Sequence, residues 1–136
     1  MDIAKLLTEG TVKKVILDTD TYNEIDDQFA VAYAMLRQDK IDLLSLNAAP
    51  FLNERSVSAE DGMRKSYEEI FRIMKLTDPD RHIPVYEGSR GFLADANTPQ
   101  ESPAARNIVK TVSESDELVY VVAIGGTVSD AGIVLS

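Results

Sequence analysis

The sequence predicts an α/β domain, an open doubly wound and mainly parallel sheet with helices on both faces. Two observations carry this. Short apolar runs recur at Val12 to Leu17, Ile41 to Leu46, Ile83 to Tyr86 and Leu118 to Ile124, and stretches with helical spacing separate them. Continuous apolar strands alternating with helices indicate a parallel sheet covered on both sides. Right-handed crossovers then bring every strand's carboxyl end to one edge.

The elements follow in order. After the first run comes an aspartate-rich turn, and then Phe29, Tyr33 and Leu36, with Ala30, Ala32 and Ala34 between them, repeat with helical spacing. The second run leads to a polar loop through Asn53 and Ser56. Ser58 with Asp61 resembles a capping box, and Met63, Tyr67, Ile70, Phe71 and Met74 mark one face of a helix ending near Asp78 and Pro79. That stripe is expected to be core packing. After the third run, the Gly-, Asn- and Pro-rich stretch from Glu87 to Glu101 reads as a loop. Ser102 and Pro103 supply an N-cap and a first-turn proline for a helix carrying Ile108, Val109 and Val112. The last run, Leu118 to Ile124, is apolar on both faces, and no internal repeat is present.

Composition narrows the function. At 136 residues and 44% hydrophobic side chains, the chain fits one domain, residues 1 to 136, with a core of its own. No apolar run approaches the roughly 20 residues of a membrane span, and the first ten residues lack a secretory signal pattern. Neither a membrane nor export is expected. The absence of cysteine fits a reducing compartment, so a cytoplasmic location is expected. A net charge of −9 argues against nucleic-acid polymer as a partner, because phosphate-backbone binding needs clustered Lys and Arg.

The chemistry concentrates in DTDTYNEIDDQFA, where Asp18, Asp20, Asp26 and Asp27 fall within one strand-to-helix turn. Like charges so placed raise one another's proton affinity, so a cation or a hydroxyl-rich ligand is the natural missing partner. Ligands in such sheets bind outside the strand carboxyl ends. There the aspartates are joined by Asn53 from the second loop and by Gly125 and Gly126 after the fourth strand. Adjacent helical residues project about 100° apart, so one of Asp26 and Asp27 is free to face a metal and the other a substrate. The positive helix end helps hold both ionised. Hard oxygen donors without His or Cys suit Ca²⁺ or Mg²⁺, and not zinc.

These residues resemble the N-terminal signature of the inosine-uridine preferring nucleoside hydrolases, an Asp-x-Asp-Pro-Gly-x-Asp-Asp pattern after a first strand. HIPVYEGSR, SPAARNIV and YVVAIG resemble later segments of that family in the same order, so the resemblance covers nearly the whole chain. It implies an open α/β fold and Ca²⁺-assisted cleavage of the N-glycosidic bond of a ribonucleoside. It makes Asp20 base and metal ligand, Asp27 a ligand, Asp26 a ribose hydroxyl acceptor, Asn53 a sugar contact and Asp18 a nearby support. An ungapped match sets Val128 where the family offers a main-chain carbonyl to calcium. An oxocarbenium-like transition state would also gain from a pocket of carboxylates.

The chain departs from the pattern in three places. Its turn is two residues longer and lacks Pro-Gly, so Tyr22, Asn23 and Glu24 reshape the loop. Gly126, Thr127, Val128 and Ser129 replace the usual turn after the fourth strand, and the sequence ends at Ser136, well short of the family's length. The resemblance is therefore to an N-terminal portion. It implies poor activity of this chain alone, and self-association through uncovered apolar faces. An inactive shortened family member is one alternative. A haloacid dehalogenase-type Mg²⁺ phosphatase is another, with Asp18 as nucleophile and Asp20 as acid. An EF-hand fails because Asn23 and Phe29 occupy its glycine and glutamate positions. His82, the one histidine, precedes a strand and reads as structural or exposed. Tyr22 reads either as a base-stacking residue or as a cover for the helix start.

Overall fold

The apolar residues from Val15 to Leu17 give the chain its first extended segment. The computed structural model describes residues 2–126 and places that segment inside a four-stranded sheet. The elements run α1 (Ile3–Thr8), β1 (Lys13–Thr19), α2 (Ile25–Leu36), β2 (Ile41–Ala48), α3 (Ala59–Thr77), β3 (Val85–Glu87), α4 (Pro103–Glu114) and β4 (Val119–Ala123). All three strand pairings are parallel, in the order β3-β2-β1-β4. The chain moves outward from β1 to β3 on one side and then crosses to β4 on the other. The carboxyl end of β1 thus lies at the switch point, where a crevice opens in folds of this kind.

Each face of the sheet has its own cover. Val15, Leu17, Leu43, Leu46 and Ala48 pack with Val31, Ala34 and Met35 of α2 and with Met63, Ile70, Ile73 and Met74 of α3 in one apolar cluster. Ile16 and Ser45 are register partners on the opposite face, where Asn107 of α4 donates to the Ser45 hydroxyl at 2.9 Å. Ala104, Ala105 and Ile108 are the buried residues of α4. The expected parallel, doubly covered sheet is what the chain forms.

Caps follow local chemistry. Ser58 Oγ accepts from Asp61 N at 3.0 Å, while the Asp61 carboxylate accepts from Val57 N at 3.0 Å, one residue before the expected partner. Ser102 caps α4 through Ala105 N, with Pro103 as its first helical residue. Glu69 is buried yet paired, to the Arg72 guanidinium and to Gln28 Nε2 at 2.9 Å, which ties α3 to α2.

Several expectations need correction. β1 continues two residues past Leu17, so Asp18 belongs to the strand and not to the turn. α1 was not anticipated from the sequence. The inward face of α2 is Val31, Ala34 and Met35, while Phe29, Tyr33 and Leu36 are exposed, Phe29 by 70%. Phe71 also leaves the expected core stripe and is exposed. β4 is apolar as read, but lies at the sheet edge with Val121 and Val122 exposed.

Candidate functional site

The site begins where β1 runs out. Asp18 is fully buried, paired in register with Asn47 on β2 and Ala123 on β4, and its carbonyl accepts from Ile124 N at 2.9 Å. One residue on, the Thr19 carbonyl accepts from Ala49 N at 2.9 Å, so the sheet ladder holds the backbone up to Asp20. Asp20 is then the first carboxylate beyond the strand, 9% exposed. Asp27 reaches it from the first turn of α2 and is 6% exposed. Thr19 Oγ1 donates to Asp27 Oδ2 at 2.6 Å and lies 3.0 Å from the Thr21 hydroxyl.

Asp20 and Asp27 meet within hydrogen-bonding contact, and the electrostatics record it. The Asp27 carboxyl is pushed up to about 7, first by burial. The Thr19 hydrogen bond pulls it down, while contact with Asp20 and the charges of Asp20 and Asp26 push it up again. The helix N-terminus favours the ionised form there but does not outweigh these causes. Two carboxyls crowded in this way resist being ionised together unless a positive partner is present.

The longer loop supplies a second layer. Asn23 N donates to the Asp20 carbonyl at 2.7 Å, closing a turn that returns the Asn23 side chain to Asp20, where Nδ2 donates to Oδ2 at 2.9 Å. Asn53 Nδ2 donates to Asn23 Oδ1 at 2.5 Å, and Asn53 Oδ1 accepts from Arg55 N at 2.9 Å. The Arg55 guanidinium donates to the Asn23 carbonyl, and Tyr22 N donates to Ser66 Oγ of α3 at 3.3 Å. The Tyr22 ring stacks on Phe51, centroids 6.4 Å apart, with Lys65 above it at 5.9 Å. Among the described residues, this ring covers the loop and α3.

The far wall requires glycine. A Cβ on Gly125 would lie 2.7 Å from Asp20 N and 2.9 Å from its Oδ1, so only glycine lets the end of β4 approach this closely. A Cβ on Gly126 would sit 3.0 Å from the Pro50 carbonyl and 3.9 Å from the Phe92 ring, which places the loop after β3 at the same mouth.

The structure therefore brings together Asp20, Asp27 and, through Asn23, Asn53. Asp18 lies one strand residue before Thr19, buried in the sheet. Asp26 turns outward and is exposed, touching the pair only through its charge. Val128 lies outside the described residues. His82 is exposed, ahead of β3. Sequence reasoning missed Thr19, Asn23 as a partner of Asp20, and Asn47. The Asn47 amide is fully buried with no hydrogen-bond partner among the described residues. Only Asn23 left a signal, standing in the two-residue enlargement of the turn.

Among the described residues, no group of three or more acidic, histidine or cysteine side chains is placed to hold one ion. Asp20 and Asp27 would give Ca²⁺ two anchors out of the six to eight oxygens it takes, so water and ligand hydroxyls would have to contribute. Donor chemistry and the crowded carboxyl pair fit a hard divalent cation. Comparison with protein-family models, with curated proteins and with solved structures finds no match to this chain.

Proposed function

We propose that the Asp20–Asp27 pair is the centre of a Ca²⁺-dependent N-glycosidic hydrolase that splits a ribonucleoside into ribose and free base. The observation that carries this reading is the approach of two buried carboxyls, Asp20 and Asp27, at the sheet's switch point, with Asn23 donating to the first and Thr19 to the second. In this reading Asp20 takes a proton from the attacking water, whose oxygen bonds to C1′ as the C1′–N bond breaks. The departing base leaves with the electron pair and takes a proton from solvent water. Asp20 and Asp27 favour the positive charge that develops on the sugar over the neutral ground state. Held by Asp20 and Asp27, Ca²⁺ would lower the proton affinity of water and grip sugar hydroxyls. Asp26 stands at the rim as a hydroxyl acceptor. The sequence likeness to nucleoside hydrolases supports the same assignment.

The phosphatase alternative fits less well. A nucleophilic carboxylate needs in-line access, yet Asp18 is 0% exposed and set within β1, and the buried Asp27 would have no task. The test is ribose release from inosine and uridine with Ca²⁺, with protein in excess so that one slow turnover is visible. Wild-type release that is lost in Asp20→Asn supports the reading. No release, or an unchanged rate in Asp20→Asn, overturns it, and phosphate release from a phosphate ester would favour the dehalogenase type.

A further inference from the structure

The enlarged turn has a use that follows from its hydrogen bonds. An amide side chain has two ends, and which end faces a neighbour decides whether it donates or accepts. The Asn23 carbonyl end is occupied by Asn53 Nδ2, so its NH₂ end must face Asp20, to which it donates at 2.9 Å. The Asn53 amide is fixed in turn, since its own oxygen accepts from Arg55 N. Both ends of Asn53 are thus engaged within the protein, and its way to the acidic pair runs through Asn23.

We propose that Asn23 is the positioning residue of Asp20, and that Asn53 acts on the site only through Asn23 instead of gripping the sugar. This deepens the hydrolase reading and rests on it for the catalytic consequence, although the relay itself does not. Backbone contacts hold the relay in place. Asn23 N donates to the Asp20 carbonyl, the Arg55 side chain donates to the Asn23 carbonyl, and Lys65 Nζ of α3 donates to the Arg55 carbonyl at 2.8 Å. The loop after β2 thereby sets the orientation of a carboxylate at the end of β1. Groups that orient a metal-binding or catalytic carboxylate are worth about 10- to 100-fold in affinity or activity.

A double-mutant cycle separates this relay from direct contact. The first readout is the Asp20 carboxyl ¹³C resonance of the metal-free protein at one fixed pH, in wild type, Asn23→Ala, Asn53→Ala and the double variant. The relay predicts that each single variant moves the resonance and that the double variant matches Asn23→Ala alone. An unmoved resonance in Asn53→Ala, or changes that simply add, would overturn it. Asn23→Leu keeps the side-chain bulk without either amide group and repeats the measurement should Asn23→Ala disturb the loop. The second readout is ribose release: kcat falls about 10-fold or more in either single variant, with no further loss in the double and KM little changed. A raised KM in Asn53→Ala alone would restore direct sugar contact and overturn the relay role. Absence of wild-type turnover would defeat the hydrolase reading and leave the resonance cycle to decide the relay.

Discussion

Asp27 shows what one buried carboxyl does to the behaviour of the whole chain. Its ordinary value is 3.8 and its folded value is about 7, so between them the folded state binds a proton that the unfolded chain releases. The stability from that proton is complete below the unfolded value and is lost as pH rises through the folded one. Thermal melts in chelator should therefore show Asp27→Asn gaining on wild type from about pH 5 to about pH 8, with Ca²⁺ rescuing only wild type at the upper end. A constant difference across that window would contradict the raised Asp27 carboxyl. Gly125 makes a second test at this scale. Gly125→Ala must displace Asp20, whose main-chain nitrogen lies 2.7 Å from the added Cβ, so Ca²⁺ binding followed by calorimetry should weaken although no ligand is removed. The sequence announced an acidic turn but not which carboxyls meet. That depends on β1 continuing through Thr19, which buries Asp18, and on α2 starting at Ile25. Adjacent helical residues then diverge by about 100°, which sends Asp27 in and Asp26 out.

Among the elements, α3 and α2 show why one helix was readable and the other was not. α3 has a polar outer face and a cap at Ser58, so its buried side was legible at Met63, Ile70 and Met74. Past its first turn α2 is apolar on every side, and spacing alone could not say whether Phe29 and Tyr33 or Val31 and Met35 face the sheet. Burial chose the smaller set, which packs onto the sheet beside α3. Ile70→Ala should accordingly cost about 2 to 5 kcal/mol in urea unfolding, whereas Phe29→Ala, at an exposed position, should fall within about 0.5 kcal/mol of wild type. Equal losses would mean that α2 is turned differently. Gly62→Ala is expected to cost about 1 to 3 kcal/mol, because its Cβ would come within 2.1 Å of the Phe51 carbonyl and push α3 from the loop that carries Asn53.

At the scale of the whole molecule, the strand order was not legible. Four apolar runs separated by helices imply a parallel sheet, but whether β4 joins beside β1 or beyond β3 is set by packing, not by local residues. Its place beside β1 creates the crevice and also leaves an edge where Val122, Ile124, Phe29 and Tyr33 are exposed. Apolar surface of this kind promotes association. Sedimentation should show an average mass that rises with concentration, and Phe29→Ser with Val122→Ser should lower it without changing Ca²⁺ affinity. A concentration-independent monomer would contradict that expectation.

The central claim is that Asp20 and Asp27 together form a divalent-cation centre, and calorimetric titration of Ca²⁺ into wild type, Asp20→Asn, Asp27→Asn and Asp26→Asn at one pH near 8 tests it most directly. One wild-type site is predicted, with Asp20→Asn and Asp27→Asn each losing most of the affinity and Asp26→Asn changing it little. Absence of heat and of any melting shift in wild type, or equal affinity in all four proteins, would contradict the account.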